Sequence, residues 1–549
     1  MRKVKLQLLV LLFFLLPISG SAFSVGDVES FNIESSYEAK NQNEVSAVLV
    51  KISNELLFYI DQDLWESLDQ ENQERIGSII YDLGVEFENH IYPKMTSTFG
   101  KEPVHTVDKS GRTTVIFHNM ARGVGGYFNS GDQYSVYQNT RSNERNMIYI
   151  STSYLESPFL PGFLAHEFMH LITFNQKERR HKVVEEVWLN EARAEYIPTF
   201  LGYENNNDNL ERRMNSFLKD PNTSLTEWEG GEKDYGVINM FTHYLVDHYG
   251  VEILIDSLFS KNVGIKSIND ALKKNGYSET FADIFTDWTI AIVLNDCSYG
   301  DKYCYLNPKF EGLKVLPDIR DIPSTHSSSF SQRVPTKNWL GRWYKIVGGK
   351  DDLVFEFDGE SGLNYQVPYI LCDYKDKCII DFIELDENNN GKIVIEGFSD
   401  YSEFIFIPSL QSKITGFNGK EKEYYFSYKI ATDSVAEKAK YREFLLNEIR
   451  KLQAEIERLQ AQNVCRIEQN LSVGSSGESV VCLQEFLKKE GSDIYPEGLV
   501  TGNFFNLTKN AVIRFQEKYA SEILAPLGLT NGTGFVGSAT RAKINSMIR

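Results

Sequence analysis

Apolar and polar positions along the 549 residues change period several times, and each change marks a different element. The runs SAVLVKIS, LLFYID, TTVIFH and MIYIS, between Ser46 and Ser151, are short and rich in β-branched and aromatic residues, which predicts strands. Between the second and third of these, Asp69 to Phe99 sets Ile76, Ile79, Ile80, Leu83 and Phe87 at helical spacing, so one long amphipathic helix is expected. The segment ARGVGGYFNSGDQYS then predicts a mobile or tightly turned stretch, because its glycines tolerate backbone angles closed to other residues. From 205 to 295 the spacing of INMFTHYL and ILIDSLF predicts helices. A Ser-rich linker is expected from Pro323 to Pro335. Beyond it, Trp339 to Ile430 alternates in runs such as DLVFEFDG, EFIFIP and EYYFSYKI, the pattern of an antiparallel β-sandwich.

One predicted helix carries an anomaly. Phe163, Leu164, Phe168, Met169, Leu171, Ile172 and Phe174 leave it almost no polar side except His166, Glu167 and His170. The two histidines are four residues apart, hence one turn apart on one face, where two imidazole nitrogens can converge on one metal ion. Glu167 is rotated off that face and suits a base acting on metal-activated water.

A catalytic zinc takes three protein ligands and keeps one position open. Downstream, WLNEARAEY offers Glu191 as the third ligand, with Glu195 one turn further on to accept the spare N–H of His166. Competing ligands fit less well. The longer pattern H-E-x-x-H-x-x-G-x-x-H fails at Thr173 and Gln176, His181 falls on a polar, basic loop, and Glu185 and Glu186 fall on the solvated start of the second helix.

The pair HEFMH and WLNEARAEY resembles the glutamate-ligand zinc peptidases, the gluzincins, and among them the hyicolysin-like neutral metallopeptidases, over about Ser46 to Tyr249. The resemblance implies zinc on His166, His170 and Glu191, Glu167 as general base, and Tyr235 in DYGVINMFTHYLVDHYG steadying the tetrahedral intermediate, with His243 and Asp247 as the rival pair. It also implies an edge strand beside the metal that holds substrate backbone; the GGYF region is the candidate, with a plain surface hairpin as the alternative.

Composition narrows the setting. A net charge of -19 argues against a nucleic-acid partner, which would call for a basic stripe. Arg2, Lys3 and Lys5, then the apolar run Leu6 to Leu16, then Pro17 and the small residues Ser19 to Ala22 predict an export signal over 1–22. Its apolar run is short for a membrane anchor. Six cysteines fall as three local pairs, Cys297 with Cys304, Cys372 with Cys378 and Cys465 with Cys482, which predicts structural disulfides in an oxidising compartment. The expected location is secreted, surface or periplasmic in a bacterium.

Two stretches invite a calcium reading. NNNDN at 205–209 is expected to be a solvated loop, and DENNNGK lacks the twelfth-position glutamate, so a hairpin turn through Asn390-Gly391 is expected instead. At Ser434 to Glu437 a capping box opens a helix in which Leu445, Ile449, Leu452, Ile456 and Leu459 form a coiled-coil seam; a parallel homodimer and a lone helical spacer both fit.

The last 85 residues resemble the peptidoglycan-binding-like repeat of cell-wall enzymes, on Leu471, Gly474, Val480, Leu483, Gln484, Gly502, Phe504, Thr508, Phe515, Gln516, Gly534 and Thr540 among others. That implies a small helical bundle and peptidoglycan as a partner, with a spacer or protein-docking role as the alternative. The expected whole is a multidomain α+β chain. It comprises a zincin-like metallopeptidase domain with a mixed sheet plus helices over 23–320, a β-sandwich over 325–432, a coiled-coil helix over 434–463 and the bundle over 465–549. The expected function is zinc-dependent endopeptidase acting on protein or peptide substrate. Hydrolysis of peptidoglycan stem peptides, and non-catalytic binding at the cell wall, are the alternatives.

Overall fold

The computed structural model describes residues 23–433 apart from 105–107, 109, 204–208, 324–327 and 350–351, then 443, 445–454 and 456, and finally 465–548. The export signal, the capping box and Leu459 of the seam lie outside the described residues. The chain forms two compact units, one reaching to Ser434 and one from Val435 onward.

The first unit opens with a six-stranded sheet made of β1 (Val28–Asn32), β2 (Glu44–Ile52), β3 (Leu56–Asp61), β4 (Thr113–His118), β5 (Gly126–Tyr127) and β6 (Met147–Ser151), in the order β1-β2-β3-β4-β6-β5. β3, β4 and β6 run parallel, while β5 pairs antiparallel with β6 at the edge. Strand periodicity divides the side chains cleanly. Phe58, Ile60, Val115, Phe117, Ile148 and Ile150 face the helices, and Leu57, Tyr59, Ile116 and Tyr149 face the N-terminal segment with Phe31 and Ile33. Both faces are covered, which is why TTVIFH and MIYIS are buried throughout. The predicted long helix is continuous from Gln70 to Phe99, with a π-turn at Phe87–Ile91.

Helices Leu160–Phe174, Val187–Leu201, Asn209–Lys219, Glu232–Tyr249, Glu252–Phe259, Gly264–Lys274 and Phe281–Leu294 follow. Then comes a sandwich built from β7 (Asp318–Ile322), β8 (Ser329–Thr336), β9 (Tyr344–Gly348), β10 (Asp352–Gly359), β11 (Tyr365–Gln366), β12 (Pro368–Asp373), β13 (Cys378–Phe382), β14 (Asn390–Ile395), β15 (Tyr401–Phe406), β16 (Ser409–Leu410) and β17 (Tyr424–Asp433). Its main sheets have the orders β14-β10-β17-β8 and β13-β12-β15-β9-β7.

Three expectations change here. Residues 324–327 of the expected Ser-rich linker lie outside the described residues, and from Ser329 it is a strand, β8, on the edge of its sheet; an edge strand exposes most of its side chains and accepts Pro335, so it reads as a linker. The sandwich is not wholly antiparallel, because β7 and β9 run parallel. The turn of DENNNGK is Asp386–Asn389, with Asn389 left-handed (φ 62°), while Asn390-Gly391 already belongs to β14. Asp386 Oδ1 closes that turn by accepting from the N–H groups of Asn388 and Asn390, both at 2.8 Å.

Sandwich and helices share one apolar core. Trp339, Trp343, Ile370, Ile405, Ile407 and Phe417 pack with Trp188, Phe281, Phe285 and Trp288 in the same buried cluster. Trp343 Nε1 donates to the carbonyl of Thr289 at 2.8 Å, and Gln411 Nε2 to Thr286 Oγ1 at 2.9 Å. All three expected disulfides form.

The second unit holds helices Glu478–Lys489, Asn506–Lys518 and Ser538–Met547 around Leu471, Leu483, Phe504, Val512, Phe515 and Val536. Its buried glutamines expose a duplication. Gln484 Oε1 accepts from Thr501 and Gly502 N–H at 2.8 and 2.9 Å, and its Nε2 donates to Thr508 Oγ1 at 2.9 Å. Gln516 repeats this with Thr533, Gly534 and Thr540 at 2.8, 2.9 and 2.9 Å, and at the same spacings of 17, 18 and 24 residues. Of the seam, Leu445, Ile449, Leu452 and Ile456 are exposed.

Candidate metal centre

The HEFMH helix, Leu160–Phe174, is apolar because it lies between the sheet and the later helices; Glu167 and His170 are among its buried residues. It continues through a π-turn at Asn175–His181, so His181 ends a helical turn and is half-buried instead of sitting on an exposed loop. The chain then turns into the helix Val187–Leu201, which carries Glu191 and Glu195.

A buried ion network fixes that second helix. Arg193 Nη1 donates to Glu185 Oε2 at 2.8 Å, and Lys177 Nζ lies 3.4 Å from the same oxygen. Lys177 also donates to the carbonyls of Ser257 and Asn262 at 2.7 and 2.6 Å, and Gly264 N–H donates to Glu185 Oε1 at 2.8 Å. Burial pushes the Lys177 amine down to about 8. Glu185 and Glu186 are therefore not on a solvated helix start, since both are buried. Their partners lie up to 231 residues away in sequence, where local pattern cannot reach. Glu185→Ala is expected to cost about 3–5 kcal/mol, because it leaves two cations buried with no carboxylate; a denaturant midpoint for this unit within error of wild type would refute that.

The structure brings His166, His170 and Glu191 together, with one donor atom from each within 4.8 Å of the others. His166 Nε2 and His170 Nε2 are 3.2 Å apart. Glu191 Oε2 lies 3.5 Å from His166 Nε2, and Glu191 Oε1 lies 3.6 Å from His170 Nε2. A tetrahedral zinc with bonds of 2.0–2.1 Å needs ligand atoms roughly 3.3 Å apart; the two imidazole nitrogens meet that spacing, and each faces a different oxygen of Glu191 at close to it. Glu191 Oε2 is buried with no hydrogen-bond partner. Charge is consistent with this: Glu167, Glu191 and Glu195 crowd together at the two histidines, and of the three only Glu195 is directly paired, with Arg213, while Arg212 acts on it from further off.

The titration shifts express this deficit. Burial opposes the imidazolium of His166, yet the carboxylates of Glu191, Glu167 and Glu195 outweigh it and raise the group to about 9. Burial, with the charges of Glu191 and Glu195, raises Glu167 to about 8. Zinc added to metal-free protein is expected to raise Tm, by the equivalent of about 2.7 kcal/mol at one hundred times Kd. Calorimetry with and without the ion checks it, and His170→Ala should abolish the shift.

Glu195 Oε1 lies 3.6 Å from His166 Nδ1, on the expected side of the ring but beyond hydrogen-bond length. Its main partner is Arg213, which sequence reading missed: Nε and Nη2 bind the two carboxylate oxygens at 2.8 and 2.7 Å. Arg213 also lies over the Tyr235 ring, 4.2 Å from its centroid. Tyr235, His166 and Glu167 line one cleft of about 340 Å³. Burial, then the charges of Glu191 and Glu195, raises the Tyr235 phenol far above its usual range, so it stays a donor. The rival His243 sits behind the Glu191 helix, edge-on to Tyr196, tilted against Phe310 and 3.4 Å from Thr199 Oγ1, and Asp247 accepts from Asn307 N–H.

The glycine-rich stretch supplies β5, whose Gly126 passes the site closely. A Cβ there would meet the Tyr149 carbonyl at 2.7 Å and Glu167 Oε1 at 3.1 Å, so no larger residue fits without displacing the carboxylate. Of the loop 205–209, residues 205–208 lie outside the described residues.

The fold and site define a multidomain mixed α/β protein with a His-His-Glu cluster buried under a cleft. Its three disulfides place it in an extracytoplasmic compartment, and among the described residues no helix is long and apolar enough to cross a membrane. No protein-family model matches the chain, and no curated protein does. Among solved structures, a periplasmic inhibitor of g-type lysozyme from Aeromonas hydrophila is 10% identical over 21% of this chain and 98% of its own, with a TM-score of 0.14. A surface-associated copper-binding protein of Methylomicrobium album is 8% identical over 21% of this chain and 98% of its own, with a TM-score of 0.16. Likeness this slight assigns neither family nor activity.

Proposed function

We propose that the protein is an exported zinc-dependent endopeptidase of the gluzincin kind, with a zincin-like catalytic domain and a C-terminal module that directs it to the cell wall or cell surface. The observation that carries this reading is the pair of imidazole nitrogens 3.2 Å apart, each facing one oxygen of Glu191 at 3.5 and 3.6 Å, beside a buried glutamate that takes no part in them. Zinc held by His166, His170 and Glu191 would supply a Lewis acid that polarises the scissile carbonyl and acidifies water.

The chain's own residues account for the rest. Glu167, with Oε2 free of any hydrogen bond, takes the proton of the attacking water and passes it to the leaving amine. Tyr235 donates a hydrogen bond to the oxyanion. Glu195, clamped by Arg213, holds the His166 ring so that Nε2 faces the ligand cluster. Edge strand β5 offers its backbone to an extended peptide beside Glu167.

Incubation with a peptide library, with and without chelator, tests the proposal. Internal cleavage that chelator stops and zinc restores is expected. Release of stem peptides from purified sacculi with casein untouched would move the substrate to peptidoglycan, and tight zinc binding without any cleavage would leave a non-catalytic wall-binding protein.

A further inference from the structure

Two parts of the β-sandwich, residues 337–339 and the loop 412–422, hold the segment 223–229, which precedes the cleft-lining Gly230 and the Tyr235 helix. Gly416 N–H donates to Glu186 Oε1 at 2.7 Å, directly before the helix that carries Glu191. Along the segment, Ser224 Oγ donates to the Asn338 carbonyl at 2.7 Å and Leu225 N–H to the Trp339 carbonyl at 2.8 Å. Lys337 Nζ donates to both oxygens of Glu227 at 2.6 and 2.7 Å, Glu421 N–H donates to Glu227 Oε1 at 3.2 Å, and Trp228 N–H donates to the Gly419 carbonyl at 3.3 Å. All of these bonds except that of Gly416 join the sandwich to the stretch 223–229, which runs into the cleft-lining Gly230.

At that end Trp228 meets Tyr235 edge to face, with ring centroids 4.8 Å apart at 78°. The Arg213 guanidinium, 4.2 Å from the centroid of the same phenol, also donates to Glu195, which faces His166. Tyr235 is thus held between an indole tied to the sandwich and a guanidinium tied to the ligand cluster. Asp234 Oδ2, accepting from Glu229 and Gly231 N–H at 3.0 and 2.9 Å, fixes the turn between Trp228 and the helix.

We propose that Trp228 is a positioning residue for Tyr235, and that the sandwich, by gripping Trp228 and Glu227, sets the reach of the Tyr235 hydroxyl into the cleft. This rests on the peptidase reading for its kinetic consequence and on geometry alone for its structural one. A ring pair of this kind is worth a factor of about 2 to 12, and since Trp228 touches no reacting atom the loss falls on kcat and leaves KM.

The test uses the full-length, zinc-loaded chain. Trp228→Ala is expected to lower kcat by about 2- to 12-fold at unchanged KM and unchanged zinc content, and Trp228→Phe to restore most of it. In a Tyr235→Phe background, Trp228→Ala should have no further effect, because the hydroxyl it serves is gone. Replacing Glu227 and Lys337 together by Gln and Met should lower kcat in the same sense. Equal losses with and without the Tyr235 hydroxyl would reduce Trp228 to packing and overturn the proposal, and so would a wild-type kcat in the Gln/Met pair. If wild type cleaves nothing, the peptidase reading fails and hydrogen exchange decides instead. Faster exchange of the amides of residues 232–237 in Trp228→Ala supports positioning, and unchanged exchange overturns it.

Discussion

Glu167→Gln is expected to lower kcat/KM by about 10²–10⁴ while the protein keeps its zinc. The amide is isosteric, so the packing of the HEFMH helix survives, and the three ligand atoms belong to other residues. What disappears is proton affinity. A buried carboxylate can take up a proton, and burial with the neighbouring carboxylates raises its proton affinity in the metal-free protein, whereas an amide takes no proton at any working pH. Elemental analysis and peptide kinetics on the same preparation check the split. Parallel loss of metal and activity would mean that Glu167 is a ligand, contrary to its place outside the cluster. Retained activity would mean that another group moves the proton.

A chain ending at residue 320 is expected not to fold, although strand alternation beyond that point looks like a separate domain. Trp339, Trp343, Ile370, Ile405, Ile407 and Phe417 fill the same core as Trp188 and Trp288. Burying six such side chains contributes roughly 9–18 kcal/mol, at 1.5–3 each. That matches or exceeds the 5–15 kcal/mol by which a whole domain is commonly stable. Cutting them away would also strip Glu186 of its partner Gly416 and Glu227 of Lys337. Expression of 23–320 should therefore give aggregated material or a chain without a cooperative thermal transition. A soluble fragment with a sharp Tm would sink the idea of a shared core.

These two outcomes bear on what local pattern can carry. His166, Glu167 and His170 were legible because their relation is a helical one: four residues set two imidazoles on one face, and apolar neighbours make their polarity conspicuous. Glu191 and Glu195 were legible for the same reason, as polar positions at a one-turn spacing. Four of the six strands and the long helix were legible in their periods, whereas β1 was not and the two-residue β5 lay in a glycine-rich stretch without one. Edge strand β8 was not, because one exposed side and a proline erase the alternation that a buried strand shows. Nor was the duplication in the second unit, whose signal is two buried glutamines instead of apolar residues.

What the sequence determined by itself are the relations that span a turn or a strand: which histidines can share an ion, which glutamate stands apart from them, which cysteines lie close enough to join. Only the tertiary structure decided which charges are buried together. Arg213 is 18 residues from Glu195, Glu185 is 79 from Gly264, and Gly416 is 230 from Glu186. The physical reason is that a buried ion is tolerable only where its partner arrives, and the partner is delivered by packing of elements whose periods carry no record of one another.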